Sequence, residues 1–239
     1  MKNLDKFRKE IDLIDDKILS LLQKRSKLAL NIGKIKNHNS NNPNLFRPER
    51  QFKILKRLFL KKNNLFSAKD ILSFWSKIFS HQTNLQGGID FLILDILKKA
   101  EKKIIFETFG YDISIKTYKS VTRAFSEIKS NNNKLLILPY PGQIKRSSWW
   151  KNKGFKGLYI IAAVPFIYKN QSTPSLVVVS KNKPILEGDY SFLYMSTELI
   201  KEKKLKKINQ SKSFYLYLTK KFLNYDKLQF LGAYPNLKI

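Results

Sequence analysis

The feature that most constrains the fold of this chain is an apolar periodicity that covers its first thirty-six residues. Apolar side chains recur at alternating steps of three and four: Leu4, Phe7, Ile11, Ile14, Ile18, Leu21, Leu28, Ile32 and Ile35. This spacing predicts one long helix over 4–36 with a single apolar face. One position breaks the series, because Arg25 stands where an apolar residue is due.

Two further helices are predicted from their start signals. Pro48 suits the first position of a second helix that runs to about residue 62, with Glu49 in its positive first turn. Ser67 and Asp70 have the spacing of a capping box, which predicts a third helix over about 68–86.

A pair of glycines marks the end of the helical segment. Gly87 and Gly88 follow the third helix directly and predict a domain boundary. We therefore expect an all-α domain at 1–88 and a second domain at 89–239.

The second domain has the alternating pattern of an α/β fold. Short runs rich in β-branched and aromatic residues alternate with helical stretches. Strands are predicted at 113–118, 135–139, 158–166, 175–180 and 190–195. Helices are predicted at about 91–108, 120–130 and 198–208. The expected fold class is an all-α domain of three helices plus a smaller α/β domain.

Composition excludes several classes of protein. A chain of 239 residues with 43% hydrophobic residues can bury a core, and it has no cysteine for a disulfide framework, a zinc–thiolate site or a thiol nucleophile. The first residues lack the apolar core of a secretory signal, and the longest nearly apolar run, 158–168, is too short to span a bilayer. We expect a cytoplasmic protein with no membrane partner.

The net charge of +28 raises nucleic acid as a possible partner. The lysines are spread over both halves of the chain, and no recognised nucleic-acid motif, P-loop or dinucleotide fingerprint is present. A basic nucleic-acid-binding protein is the alternative of another class, but we do not expect a nucleic-acid partner. His38 and His81 are isolated, so no metal site is expected.

Cations and amides stand on helical faces where apolar residues are due. Arg25 and Lys36 are eleven residues apart, about three turns plus 20°, so they share a face with Cα atoms about 16 Å apart. Gln82 and Gln86 are one turn apart on the third helix. Such a cluster suits a small polyanion as its ligand.

A purely structural interpretation of Arg25 is also open. The guanidinium could pair with a carboxylate such as Asp15 or Asp16 in a dimer seam. Arg8 lies seventeen residues before Arg25, about 100° around the helix, so it joins the cluster only from a second copy.

These residues carry a resemblance to a known family. The segments 8–15, 21–29, 32–36, 47–51 and 78–86 resemble, in the same order, parts of the all-helical chorismate mutase family. The resemblance covers residues 4–88. It implies the rearrangement of the small-molecule substrate chorismate to prephenate, in aromatic amino-acid biosynthesis. It also implies an intertwined homodimer, with no cofactor and no metal.

The resemblance also implies a role for each polar residue. Arg25 and Arg8 of the partner subunit would grip the two carboxylates, and Lys36 and Gln86 would donate to the breaking ether oxygen. Catalytic roles would thus fall to Arg25, Lys36 and Gln86, and substrate binding to Arg8, Arg50, Gln51 and Gln82. The chain departs from the family pattern at Gln51, where Glu is usual, and at Arg47, which is acidic in some members.

The second domain resembles, more weakly, a degenerate prephenate dehydratase with an ACT-like end. The segments 135–142, 175–183, 188–192 and 231–235 carry this likeness. The place of the dehydratase's catalytic Thr-Arg-Phe is taken by Pro174, Ser175 and Leu176. We expect a regulatory or structural domain without dehydratase activity; the alternative is a bifunctional mutase and dehydratase. A Trp149–Trp150 pair is expected to pack in the core.

Overall fold

The computed structural model describes residues 2–39, 44–61, 63–142, 148–166 and 173–236. Its first part consists of three helices: α1 (Lys2–Asn39), α2 (Pro48–Lys61) and α3 (Ala68–Leu85). The Ser67 hydroxyl accepts from the Asp70 amide at 3.2 Å, and the Asp70 carboxylate accepts from the Ser67 amide at 2.8 Å. The predicted capping box is thus confirmed, and the helices of this part lie where the sequence predicts them.

The second part is built on one sheet of nine strands. The strands are β1 (Asp90–Leu94), β2 (Ser114–Tyr118), β3 (Lys134–Pro139), β4 (Tyr159–Val164), β5 (Leu176–Ser180), β6 (Tyr190–Ser196), β7 (Lys206–Ser211), β8 (Phe214–Thr219) and β9 (Gln229–Pro235). Two helices, α4 (Lys99–Phe109) and α5 (Val121–Lys129), and two 3-10 turns, Trp149–Lys151 and Lys153–Phe155, complete it. The strand order is β2-β1-β3-β5-β4-β9-β6-β8-β7.

The sheet is mixed, and its central strands are buried on both faces. β1 pairs in parallel with β2 and β3, β4 pairs in parallel with β9, and the other neighbours are antiparallel. Phe91 and Ile93 of β1 point into one hydrophobic cluster, and Leu92 and Leu94 point into another. A continuous apolar run is what a strand covered on both faces requires.

The three-helix part shares a core with the sheet. Phe52 and Leu55 of α2 and Phe79 of α3 belong to the same hydrophobic cluster as Phe91 of β1 and Phe109 of α4. The cluster on the opposite face contains Phe125 of α5 together with the two tryptophans. Helices α2 and α3 therefore serve as part of one covering layer of the α/β sheet.

Helix α1 differs from α2 and α3 because its large apolar side chains are exposed. Nine residues of the predicted stripe are between 49% and 66% exposed: Leu4, Phe7, Ile11, Ile14, Ile18, Leu21, Leu28, Ile32 and Ile35. The helix packs on α3 through a neighbouring face, where Ala29 and Gly33 are buried. The described residues of the chain thus leave most of this predicted apolar face uncovered.

Two predicted helices of the second part are wrong in whole or in part. The run predicted as a helix over 91–108 begins with β1, because the apolar segment 91–94 is the short run of a buried strand rather than one face of a helix. The predicted helix over 198–208 is a loop that leads into β7. Tertiary partners hold this loop: Glu198 pairs with Lys227 at 2.7 Å, and Glu202 accepts from the Tyr225 hydroxyl at 3.3 Å.

The relative size of the two parts also corrects an expectation. The α/β region is the larger part of the chain, not the smaller, since its sheet has nine strands among the described residues. Strand β8 was not predicted at all. The packing of the tryptophan pair is confirmed, because Trp150 is 1% exposed and the Trp149 indole N–H donates to the Pro139 carbonyl at 3.0 Å.

Candidate functional site

The predicted polar residues meet where three segments come together. These are the second half of α1, the connection that enters α2, and the last two turns of α3. Packing of α1 on α3 and of α2 on α3 brings these segments side by side. Arg25 and Lys36 come from α1, Arg50 and Gln51 from the start of α2, and Gln82 and Gln86 from the end of α3.

Arg25 is a half-buried cation that has no anionic partner in the part of the chain that the structure describes. Its guanidinium carbon lies 5.7 Å from the ring centroid of Phe79, and its Nη1 is buried with no hydrogen-bond partner among the described residues. Burial lowers the pKa of Arg25, and the nearby charge of Arg50 lowers it further. A cation that is desolvated, unpaired and close to a second cation favours an anion as its ligand.

The ammonium of Lys36 lies one loop away from the start of α2. Its Nζ donates to the carbonyl of Asn44 at 3.4 Å. Burial lowers the pKa of Lys36, and so does the charge of Arg47, whereas the charge of Glu49 raises it. Lys36 is thus a second half-buried cation on the same side of α1 as Arg25.

The two glutamines of α3 face α1. Gln82 is buried, and Gln86 is half-buried at the end of the helix, where its backbone N–H donates to the carbonyls of Thr83 and Asn84. A Cβ atom placed on Gly33 would lie 2.9 Å from Cγ of Gln86. Glycine at this position therefore lets the Gln86 side chain lie against the backbone of α1, one turn before Lys36.

The start of α2 contributes less directly. Arg50 is exposed, although its charge acts on Arg25. Gln51 is half-buried and lines a small void together with Ser76, Phe79 and Thr83 of α3. Arg47 is paired with an acidic residue, because its Nε donates to the carboxylate of Glu49.

Arg8 is the one predicted site residue that the single chain does not bring to the cluster. It is separated from Arg25 by seventeen residues, about 26 Å along the axis of α1. Its side chain is 65% exposed and pairs with Asp5 at 3.5 Å.

Glu49 is a residue whose position sequence reasoning did not foresee. The sequence assigns it only to the first turn of a helix, where an acidic residue is ordinary. In the structure it is 6% exposed and ion-paired. The available signal was an acid between Arg47 and Arg50 in a strongly basic chain, three residues after the apolar Phe46.

Among the described residues, no group of three or more histidine, cysteine, aspartate or glutamate side chains is arranged to hold a metal ion. In the same part of the chain, no helix is both long enough and apolar enough to cross a bilayer.

The comparison with known families settles the nature of the helical part. Residues 7–87 match the model of the family described as chorismate mutase type II. The helical part is a chorismate mutase domain. The matched span ends at the glycine pair that follows α3, and it contains six of the proposed polar residues together with Arg8.

One curated relative links the mutase domain to the α/β region. The "Bifunctional chorismate mutase/prephenate dehydratase" of Aquifex aeolicus (strain VF5) is 28% identical over 149 residues, which is 61% of this chain and 41% of the relative. That alignment is longer than the mutase domain, so it reaches into the α/β region. A mutase domain is therefore fused here to a dehydratase-like region, and the chain spans about two fifths of the relative's length.

A solved structure, "GqqA- a novel type of quorum quenching acylases", is also similar in part. It has a TM-score of 0.43 and 8% sequence identity, and the match covers 62% of this chain and 95% of that one. At this level the likeness supports no conclusion about fold or activity.

Proposed function

We propose that this protein catalyses the rearrangement of chorismate to prephenate. The observation that carries the proposal is the pair of half-buried cations, Arg25 and Lys36, that face Gln82 and Gln86 across the contact between α1 and α3. The reaction is intramolecular and needs no proton transfer, so a site of fixed positive charges and amide donors is sufficient for it. Such a site lowers the barrier by holding the dianion in a reactive shape and by stabilising charge that develops on the ether oxygen.

The proposed roles follow the chemistry of each group. The planar guanidinium of Arg25 offers two parallel N–H donors, which suits a carboxylate. Lys36 and the amide of Gln86 would donate to the ether oxygen, and Arg50, Gln51 and Gln82 would complete the binding site. The buried, unpartnered Nη1 of Arg25 supports this assignment, because a substrate carboxylate would supply the missing acceptor.

We also propose that the protein is a homodimer whose subunits share each site. At 100° per residue, Ala29 and Gly33 lie about 40° and 80° to one side of Arg25, and Leu28 and Ile35 lie about 60° and 80° to the other. Arg25 thus stands on the border between the face packed on α3 and the exposed apolar stripe. A second copy that covers the stripe would close over the cations and could bring Arg8 of the partner subunit to them.

Mixing two inactive variants tests the shared site. Arg8→Ala and Gln86→Ala each remove one group from every site of their own dimer. In a mixed dimer, one of the two sites keeps both groups, so activity should return after the subunits exchange. Absence of recovery after exchange has been verified by mass spectrometry would contradict a site shared between subunits.

For the α/β region we propose a structural or regulatory role without dehydratase chemistry. The segment Pro174–Leu176, which stands in place of the catalytic Thr-Arg-Phe, has a buried proline and leads into β5, whose first residue Leu176 is fully buried. These side chains supply neither a hydroxyl and guanidinium pair nor an acid for a dehydration. We further propose that the protein acts in the cytoplasm, in aromatic amino-acid biosynthesis.

The experiment that tests the activity is direct. Purified protein is mixed with chorismate, and the loss of chorismate and the appearance of prephenate and phenylpyruvate are followed by chromatography. We expect prephenate alone, and an inactive Arg25→Ala sample serves as the matched control. Phenylpyruvate formation would support the bifunctional alternative, and no turnover by folded protein would overturn the proposal.

A further inference from the structure

Glu49 is an acidic side chain whose burial its own helix does not explain. Glu49 and Glu101 are the two acidic residues buried in the part of the chain that the structure describes. Glu101 caps α4, since its carboxylate accepts from the Lys98 amide at 2.7 Å. Glu49 instead pairs with the side chain of Arg47, in the connection that leads from α1 into α2.

The α/β region supplies the wall against which Glu49 is buried. A small void is lined on one side by Asn44, Phe46 and Glu49, and on the other by Ile161, Asn182 and Tyr190. The Tyr190 hydroxyl donates to the Ile185 carbonyl at 2.7 Å. Burial, with the charge of Glu49 adding to it, raises the pKa of Tyr190 to about 12, so the Tyr190 hydroxyl is neutral over the ordinary pH range. Lys183, whose side chain is exposed, is the charged residue that lines this void from the α/β side.

The same connection contacts the mutase lysine. Lys36 reaches the carbonyl of Asn44, and its charged neighbours are Arg47 and Glu49. Burial and Arg47 both disfavour the ammonium form, whereas Glu49 favours it. Among the charges that act on Lys36, the buried carboxylate is thus the one that opposes its deprotonation.

We propose that Glu49, held between the α1–α2 connection and the α/β region, is a positioning residue that keeps the amine of Lys36 charged beside the mutase site. This inference rests on the proposed mutase function. It gives the α/β region a part in the activity: the region excludes water from the carboxylate, and a carboxylate in a less polar environment acts more strongly on a neighbouring ammonium.

The charged groups around Glu49 define the control. Arg47 faces it directly, and an open groove beside it is lined by Lys53, Lys56, Glu187 and Asp189. Glu187 is exposed and pairs with Lys53 at 3.8 Å. Glu187→Gln removes the same charge from the same groove, but from a solvated position where its influence is screened.

The test is the pH profile of kcat/KM for chorismate, measured from about pH 6 to about pH 10.5, because kcat/KM reports groups of the free enzyme. Chorismate itself does not titrate in this range. If catalysis needs the ammonium form of Lys36, kcat/KM is at its full value below the pKa of Lys36 and falls as the pH rises through that pKa. In Glu49→Gln the loss should begin at lower pH than in the wild type, so the ratio of variant to wild-type kcat/KM should fall with rising pH.

A variant that keeps the charge, the matched control and a fallback pair complete the test. Glu49→Asp keeps the charge and should leave the alkaline limb close to its wild-type position, as should Glu187→Gln. A reduced folded fraction scales the whole profile without moving the limb. If Glu49→Gln does not fold, the double variant Arg47→Gln/Glu49→Gln is compared with the single variant Arg47→Gln. The kcat/KM of the double variant should begin to fall at a lower pH than that of the single variant.

The outcomes separate this inference from the function on which it rests. No turnover by the wild type would overturn the mutase proposal itself. Turnover with an alkaline limb that stays in place in Glu49→Gln, or that moves equally in Glu187→Gln, would overturn the role of Glu49 and leave the mutase proposal standing.

Discussion

Helix α1 and the helix pair α2–α3 belong to the same mutase domain, yet they bury their apolar residues in opposite ways. The pair places Phe52, Leu55 and Phe79 in a core that it shares with the α/β sheet. Helix α1 leaves its apolar stripe in solvent, with Ile18 49% and Leu21 66% exposed. The comparison teaches that α2 and α3 find their partner within the chain, whereas the residues that the structure describes leave the stripe of α1 largely uncovered. The cations of the site stand on the boundary between these two arrangements.

The largest effect is expected from removing the cations at that boundary. Arg25→Ala and Lys36→Ala should each lower turnover by about a hundredfold or more while the protein stays folded, because each removes a charged donor from the transition state. Steady-state kinetics with chorismate and a circular dichroism spectrum measure both properties. Near wild-type turnover by either folded variant would remove that residue from the site.

The exposed stripe should be the next most sensitive feature. Ile18→Asp places a charge in the middle of the stripe, so we expect the dimer to dissociate and turnover to fall with it, because each site would lose Arg8 of the partner subunit. Ser20→Asp is the matched control, since residue 20 lies about 160° around the helix from residue 18. Sedimentation velocity with parallel kinetics measures the effect, and a dimer that persists in Ile18→Asp would place the interface elsewhere.

Stability should depend on the core that α2 shares with the sheet. Leu55 is fully buried, so Leu55→Ala should lower the free energy of unfolding by about 2–5 kcal/mol. Leu60 lies on the same helix and is 81% exposed, and Leu60→Ala should change it by less than about 0.5 kcal/mol. Urea unfolding measures both. Equal effects would mean that α2 is not held by this core.

The smallest effect is expected at the contact between α1 and Gln86. A Cβ on Gly33 would lie 2.9 Å from Cγ of Gln86, which is a flexible side chain and can shift. Gly33→Ala should therefore move the amide and lower turnover severalfold, and it should cost little stability because alanine favours a helix. Thermal unfolding and kinetics separate the two effects. An unchanged kcat in a folded Gly33→Ala protein would argue against Gln86 as the donor to the ether oxygen.

Local signals of the sequence determined the elements of the mutase domain. The three-and-four spacing in α1, Pro48 at the start of α2 and the capping box of Ser67 with Asp70 act within one or two turns, so each predicted an element that the structure contains. The spacing of Arg25 and Lys36 likewise follows from helical geometry alone. The same kind of signal failed at 91–94 and 198–208, where strand pairing and side-chain partners distant in sequence decide the conformation.

The tertiary structure alone decided which faces are buried and against what. Periodicity identifies an apolar face of α1, but only packing places α3 on the neighbouring face of Ala29 and Gly33 and leaves the stripe exposed. The burial of Glu49 depends on the Ile161 and Tyr190 side of the α/β region, more than a hundred residues away in sequence. Burial and the charge on Lys36 are properties of neighbours gathered from distant parts of the chain, and a local sequence pattern carries no information about them.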